Sequence, residues 1–146
     1  MKPFTIRLLY HIIKVLVLHS NGSSIVLLVS DLKNSSDFYK KLGFQYEEVG
    51  GPEVKQVHVS RGSITLILHP AIHREDVRPS SSVEGGLYFD VIAYIDAVDL
   101  LADELRTKDA EIVDGPHYSE HWSESTIKDC DGYRIAFGGG VSKPLD

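Results

Sequence analysis

The pattern of apolar and polar positions in residues 25–69 predicts a β-α-β-β-β unit. Ile25–Val29 is a short, β-branched run, which is typical of a buried strand. Phe38, Tyr39 and Leu42 then recur at helical spacing ahead of Gly43, where a left-handed residue commonly ends a helix. Turn residues and alternating runs predict three further strands, at 44–49, 54–60 and 63–69.

The second half of the chain repeats this plan. Residues 87–95 predict a strand, Asp96 follows it as Asp31 follows the first strand, and residues 97–108 predict a helix. Three strands complete the unit, at 110–113, 124–128 and 133–137. The repeat predicts an α+β fold of two tandem βαβββ modules that form a cupped, mostly antiparallel sheet. We expect a single domain over residues 23–146, with modules at 23–70 and 86–140.

Residues 1–22 differ from the rest, since they contain no acidic residue and their apolar positions recur at helical spacing. This pattern predicts an extra N-terminal amphipathic helix over about residues 4–18. A membrane-surface helix and a β-strand are alternatives, the second because of the β-branched residues. A secretory signal is disfavoured because Arg7 and Lys14 interrupt the apolar stretch.

Composition narrows the class of protein. The chain has 146 residues, of which 42% are hydrophobic, so it can bury the core of one domain. Its net charge of −6 disfavours nucleic-acid binding and favours neutral or cationic ligands. A single cysteine, Cys130, excludes an intrachain disulfide and favours a reducing, cytoplasmic compartment. No apolar run reaches the roughly 18 residues that span a bilayer, so we expect no membrane partner.

Two segments resemble a known family. VSDLKNSSDFYKKLGF is similar to the opening, and GPHYSEHWSESTIKDCDGYRIAFGG to the closing segment, of the glyoxalase/bleomycin-resistance/dioxygenase proteins, the vicinal-oxygen-chelate superfamily. In the closing turn, Cys130 stands where the family usually has proline. The resemblance implies the two-module fold, a small-molecule ligand and a homodimer. It also implies a cleft in which the enzymes of the family hold a divalent metal ion.

The family's four metal-ligand positions fall here on Ser24, Leu66, Asp90 and Ala136, with Leu66 uncertain by a residue or two. Of these, only Asp90 is a good ligand for a divalent cation. We therefore expect no metal site and no cofactor, although a divalent metal with unorthodox ligands remains the alternative. Asp90 itself is expected either to contact a ligand or to form a structural pair, for example with Arg134.

The remaining candidates are cleft-facing side chains. Arg134 shares a strand face with Ala136. Trp122 and Tyr118, in the loop after Gly115-Pro116, are expected to line the cleft rim together with Tyr94, either stacking on a ligand or covering the sheet. The predicted ligand-binding set is therefore Ser24, Leu66, Asp90, Tyr94, Tyr118, Trp122, Arg134 and Ala136.

These observations predict a metal-independent small-molecule-binding protein, similar to the antibiotic-sequestering branch of the family, with a cationic or aromatic ligand. The first alternative is a metal-dependent lyase, isomerase or dioxygenase that uses ligands such as Asp90, His58 or His69. The second is a regulatory or interaction module without any ligand. No catalytic residue can be assigned from the sequence.

Overall fold

The computed structural model describes residues 22–53 and 55–140, and the helix predicted at residues 4–18 lies outside them. The first module contains five elements: β1 (Ile25–Val29), α1 (Leu32–Lys41), β2 (Gln45–Val49), β3 (Gln56–Arg61) and β4 (Ile64–Pro70). Its four strands form a mixed sheet in the order β1-β4-β3-β2. β1 runs parallel to β4, and the other two pairings are antiparallel.

Helix α1 ends ahead of Gly43, as the sequence predicts, and a side chain caps its start. The Asp31 carboxylate accepts a hydrogen bond from the Asn34 amide at 2.8 Å, which satisfies one of the free amides of the first turn. Gly43 has a φ of +85°, a left-handed conformation that costs glycine little. The helix packs against the first sheet through Tyr39, which is fully buried.

The second module has the same plan. Its elements are β5 (Val91–Tyr94), α2 (Val98–Thr107), β6 (Glu111–Tyr118), β7 (Ser123–Lys128) and β8 (Arg134–Gly139). The sheet order is β5-β8-β7-β6, and the β5–β8 pair is parallel like β1–β4. Two short 3₁₀ helices, Arg74–Asp76 and Ser80–Ser82, lie in the connection between the modules. The prediction of tandem βαβββ modules is thereby confirmed.

Two local predictions in this half are wrong. The strand expected at 87–95 begins only at Val91, because residues 87–90 form a loop whose polar groups bond to the Ser80–Ser82 helix and to β8. The strand expected at 110–113 continues through Gly115-Pro116 to Tyr118, where register shifts between Ile112, Asp114 and His117 take up the irregular backbone.

The two modules share one hydrophobic core, in which the turn between β7 and β8 joins the second module to α1 and β1 of the first. The buried Asp129 carboxylate accepts from the Tyr39 hydroxyl at 2.8 Å and from the amides of Asp131 and Tyr133 at 2.9 Å. The Tyr133 hydroxyl donates to the carbonyl of Leu28 at 2.6 Å. These bonds between distant parts of the chain fix how the modules pack. Among the described residues, no helix has the length and apolarity to cross a membrane.

Candidate functional site

Each sheet is covered by its helix on one side, and the candidate site lies on the other side of the second sheet. Strand alternation and register place three rows of side chains on this helix-free face. The rows are Tyr94–Gly138–Glu124, Ile92–Ala136–Thr126–Asp114, and Arg134–Lys128–Glu111. The first row is aromatic and acidic, the second is mostly small or apolar, and the third is largely basic.

Aromatic rings cover the first row. Tyr94 and Trp122 meet edge to face, with ring centroids 6.1 Å apart, although 72% of Tyr94 is exposed. The indole lies directly over Gly138, so that a Cβ atom at this position would overlap the ring. The Trp122 Nε1–H donates to the Glu124 carboxylate at 3.0 Å, which fixes the orientation of the ring. This end of the face thus offers a fixed aromatic surface beside a carboxylate.

Tyr88 occupies the middle of the face from the loop that precedes β5. Its ring lies 5.4 Å from the centre of the Arg134 guanidinium, a cation–π distance. Burial raises the pKa of the Tyr88 hydroxyl, and the Asp114 carboxylate raises it further, whereas the nearby Thr126 hydroxyl opposes this. The hydroxyl of Tyr88 therefore lies close to Asp114 and Thr126, and the ring spans from the basic row to the middle row.

Asp114 is held ionised at the edge of this face. The Tyr88 hydroxyl and then His117 lower the pKa of its carboxyl, against the opposing effect of burial. His117 Nε2 lies 2.8 Å from the Asp114 carboxylate. Asp114 thus provides a negative charge on the face, and side chains of the protein already contact its carboxylate.

Asp90 has a structural role. Its two carboxylate oxygens accept from the Ser80 amide at 2.6 Å and from the Arg134 amide at 2.8 Å, and its own amide donates to the Arg134 carbonyl at 2.9 Å. The pair with Arg134 is thus made through the backbone of Arg134 and not through its guanidinium. Asp90 ties the loop between the modules to β8.

The structure separates the other predicted site residues. Ala136, Arg134, Tyr94 and Trp122 lie together on the helix-free face, although Ala136 is fully buried there. Leu66 is also fully buried, but in the hydrophobic core, where it pairs with Ile25. The residues on either side of Leu66 lie on the opposite, helix-free face of β4.

Tyr118 and Ser24 do not join this group. Tyr118 lies opposite Ser123, whose side chain is buried on the helix side of the sheet, so the irregular register of β6 turns Tyr118 away from Trp122. Ser24 is an exposed residue just before β1 in the first module.

Among the residues of the face that the sequence did not predict are Asp114, Glu124 and Thr126. Glu124 lies opposite Gly138 and Thr126 opposite Ala136, and the alternation of β7 alone could have found both. Asp114 could not have been found this way, because a register shift precedes it.

The family's metal chemistry does not fit the donor atoms present. Leu66 and Ala136 are buried aliphatic side chains, and both oxygens of Asp90 already accept from backbone amides. Within residues 22–53 and 55–140, no three His, Cys, Asp or Glu side chains are grouped so as to hold a metal ion. His58, an alternative candidate, has Nε2 3.1 Å from the Gln56 amide nitrogen and lies opposite Glu47. These residues do not form a divalent-cation site.

The fold and the site define a two-module βαβββ protein with an aromatic and polar sheet face. The family model of the Glyoxalase/Bleomycin resistance protein/Dioxygenase superfamily matches residues 23–137, and the chain belongs to this superfamily. A comparison with curated proteins gave no match.

Solved structures share the fold. The chain is similar to TnmS3, an antibiotic-binding protein from Streptomyces sp. CB03234, with 20% identity over 85% of this chain and 98% of that one and a TM-score of 0.65. It is also similar to TioX from Micromonospora sp. ML1, with 14% identity over 84% and 100% of the two chains and a TM-score of 0.65. A glyoxalase/bleomycin resistance protein from Streptomyces sp. CB03234 shares 21% identity over 80% and 98%, with a TM-score of 0.62. At these identities the likeness concerns the fold.

Proposed function

We propose that this chain is a metal-independent small-molecule-binding protein that holds a planar aromatic compound against Tyr94 and Trp122. The observation that carries the proposal is the ring pair itself: Tyr94 is 72% exposed, yet it meets an indole that Gly138 and Glu124 hold in place. An aromatic ligand stacked here would bury this surface and gain ring–ring contacts.

Binding without catalysis is supported by the chemistry of the face. Apart from Arg134, its charged groups contact other groups of the protein: Asp114 contacts His117, Lys128 pairs with Glu111 at 2.7 Å, and Asp90 holds two amides. At the positions where metal-dependent relatives place ligands, this chain has two buried aliphatic residues, an exposed serine, and an aspartate whose two oxygens already accept hydrogen bonds. TnmS3 binds an antibiotic, and the shared fold makes sequestration of such a compound the mode of action that we propose here.

The charge of the ligand is a separate part of the proposal. The net charge of −6 favours a cation, and Glu124 and Asp114 lie on the face to receive one. Both carboxylates, however, already accept from protein groups, so the aromatic contact is the stronger part of the proposal.

Replacing the exposed ring tests this function. We expect Tyr94→Ala to weaken the binding of 2-naphthol, measured by calorimetry on the full-length protein treated with a chelator, by roughly tenfold, because a stacking partner is lost. Tyr46→Ala is the matched control, since Tyr46 is 48% exposed and lies on the helix side of the first sheet under Lys40. Equal affinities for the wild type and both variants, or no binding to the wild type, would contradict the proposal.

The proposal also includes a cytoplasmic homodimer. The single cysteine supports a reducing compartment, and the family resemblance supports the dimer. Light scattering after size-exclusion chromatography should then give twice the mass of one chain.

A further inference from the structure

Arg134 carries a cation on the candidate face that forms no ion pair within the described part of the chain. Among the described residues its guanidinium lies within ion-pair distance of no carboxylate, and its Nε atom is buried without a hydrogen-bond acceptor. The contact that it does make is with the ring of Tyr88, and the nearest cation in its row, Lys128, is already paired with Glu111. A buried donor on a charged group is costly to leave unsatisfied, so an acceptor is missing at this position.

A second buried polar atom near Arg134, the Oγ1 of Thr126, also lacks a satisfactory hydrogen bond. Thr126 is fully buried, and the hydroxyl of Tyr88 approaches its Oγ1 without forming a hydrogen bond of good geometry. Thr126 lies opposite Ala136, and Arg134 is two residues from Ala136 on the same strand and the same face. Thr126 and Arg134 are therefore diagonal neighbours on adjacent strands. The side chain of Ala136 between them is a single methyl group.

The phenol ring of Tyr88 lies on the part of the face between Arg134 and Thr126. Its ring contacts the guanidinium of Arg134, and its hydroxyl reaches the neighbourhood of Asp114 and Thr126. A phenol thus already lies on the middle row, but it gives Arg134 Nε no acceptor and gives Thr126 Oγ1 no hydrogen bond of good geometry. Tyr88 belongs to the loop at 87–90, outside the strands, and can move without breaking the sheet.

We infer that Arg134 and Thr126 form an oxygen-acceptor subsite, and that the aromatic ligand carries a carbonyl or carboxylate oxygen that binds there. The inference rests on the proposed function, because the same ligand would place its rings towards Trp122 and Tyr94. Arg134 Nε–H and the Thr126 hydroxyl both donate to this oxygen, and the ring of Tyr88 moves aside or stacks beside the ligand. The subsite selects an oxygen acceptor, and a cationic group at this position is repelled by the guanidinium.

Three probes of one shape test the inference by calorimetry on the full-length protein: 2-naphthoate, 2-naphthol and 2-naphthylmethylammonium. We expect 2-naphthoate to bind at least tenfold more tightly than the ammonium compound. Arg134→Met keeps the apolar stem and should weaken 2-naphthoate by about 10- to 100-fold, the size of a lost charge-assisted hydrogen bond, with little change for 2-naphthol. Arg106→Met is the matched control, because Arg106 pairs with Asp103 on the exposed side of α2.

Thr126→Val provides an independent variant that should fold at least as well as the wild type, because it replaces an unsatisfied buried hydroxyl by a methyl group. It should weaken 2-naphthoate by roughly 3- to 10-fold. Tighter binding of the ammonium compound, or an affinity for 2-naphthoate that neither variant changes, would overturn the subsite and leave the aromatic site standing. If none of the three probes binds the wild type, the proposed function and the subsite both fail.

Discussion

Asp90 and Arg134 are neighbours of opposite charge, but their side chains do not form an ion pair with each other. A carboxylate within an apolar segment at the mouth of the expected cleft is a natural candidate for a base or a ligand-binding group. The structure instead uses both of its oxygens to hold backbone amides of Ser80 and Arg134. The arginine, which was expected to be the partner of Asp90, keeps its guanidinium unpaired by carboxylates of the described chain.

Replacing Asp90 by asparagine separates structure from function. One oxygen and its hydrogen bond remain in Asp90→Asn, and the other amide loses its acceptor, so the free energy of unfolding should fall by about 1–3 kcal/mol. Affinity for 2-naphthol should stay within roughly twofold of the wild type if folded protein is compared, since neither oxygen is free for a ligand. Denaturant titration and calorimetry measure the two effects. A large loss of affinity in a variant of unchanged stability would return Asp90 to the binding site.

Asp129 predicts a pH dependence of stability. Burial is the main cause that raises the pKa of its carboxyl to about 6, against the hydrogen bonds from Tyr39, Asp131 and Tyr133. Because the folded state holds this proton more tightly than the unfolded state, the stabilisation is complete below pH 3.8 and is lost as the pH rises through 6.

We therefore expect the unfolding free energy of the wild type to decrease by about 2–3 kcal/mol between pH 4 and pH 7 relative to Asp129→Asn, which has no proton to lose. Urea titrations of both proteins at several pH values give this difference. Parallel pH profiles for the two proteins would show that the carboxylate is not perturbed as described.

At the scale of elements, β7, β8 and the segment before β7 together position the indole of Trp122, which meets Tyr94 of β5. Gly138 on β8 leaves the space that the indole of Trp122 fills, and Glu124 on β7 receives the indole N–H. The glycine is thus required by close approach of a ring and not by the backbone conformation. The position of the aromatic surface depends on three segments that meet only in the folded sheet.

A pair of glycine substitutions tests this arrangement. In Gly138→Ala the new methyl group overlaps the indole and must displace it, so affinity for 2-naphthol should fall by about tenfold as ring contacts are lost. Gly140→Ala, two residues further, has no neighbouring atom within 4 Å of the added carbon and should bind as the wild type does. If both variants bind alike in calorimetry, the position of Trp122 does not define the site.

Local sequence patterns predict some features of the helices and strands and not others. The spacing of Phe38 and Tyr39 and the stop at Gly43 are local signals, and they predicted α1 correctly. Leu66 lies in the core and not with Ala136, and a shift of one residue is enough to exchange the two faces of a strand. Tyr118 lies apart from Trp122 because of the register shifts of β6, which are not visible in the local pattern.

Long-range pairing accounts for the remaining failures. The unpaired state of Arg134 depends on which side chains approach it from the loop at 87–90 and from β7, and sequence spacing does not encode those distances. The same holds for Asp90, whose partners are amides 10 and 44 residues away. The resemblance to the family indicates which positions correspond to its metal ligands, and the contacts in the folded protein determine what the residues at these positions do.

At the scale of the whole molecule, two modules of one plan have different faces. The helix-free face of the first module presents His58, Gln45, Glu47, Ser60 and Thr65 around a groove of about 250 Å³, without an aromatic pair. The second module carries the rings, the unpaired guanidinium and the buried hydroxyl. The duplicated fold thus provides the frame, and the binding chemistry that we propose lies mainly in one half.

One measurement tests the central claim, that an aromatic compound binds to the second sheet without a metal ion. Trp122 is the single tryptophan of the chain, so its indole N–H gives one assigned signal in a ¹⁵N spectrum of the full-length protein. In chelator-treated protein, titration with 2-naphthol should shift this signal saturably, and adding Mg²⁺ or Zn²⁺ should leave the shift and the affinity unchanged. A signal that stays fixed throughout, or that moves only when a divalent ion is restored, would contradict the account.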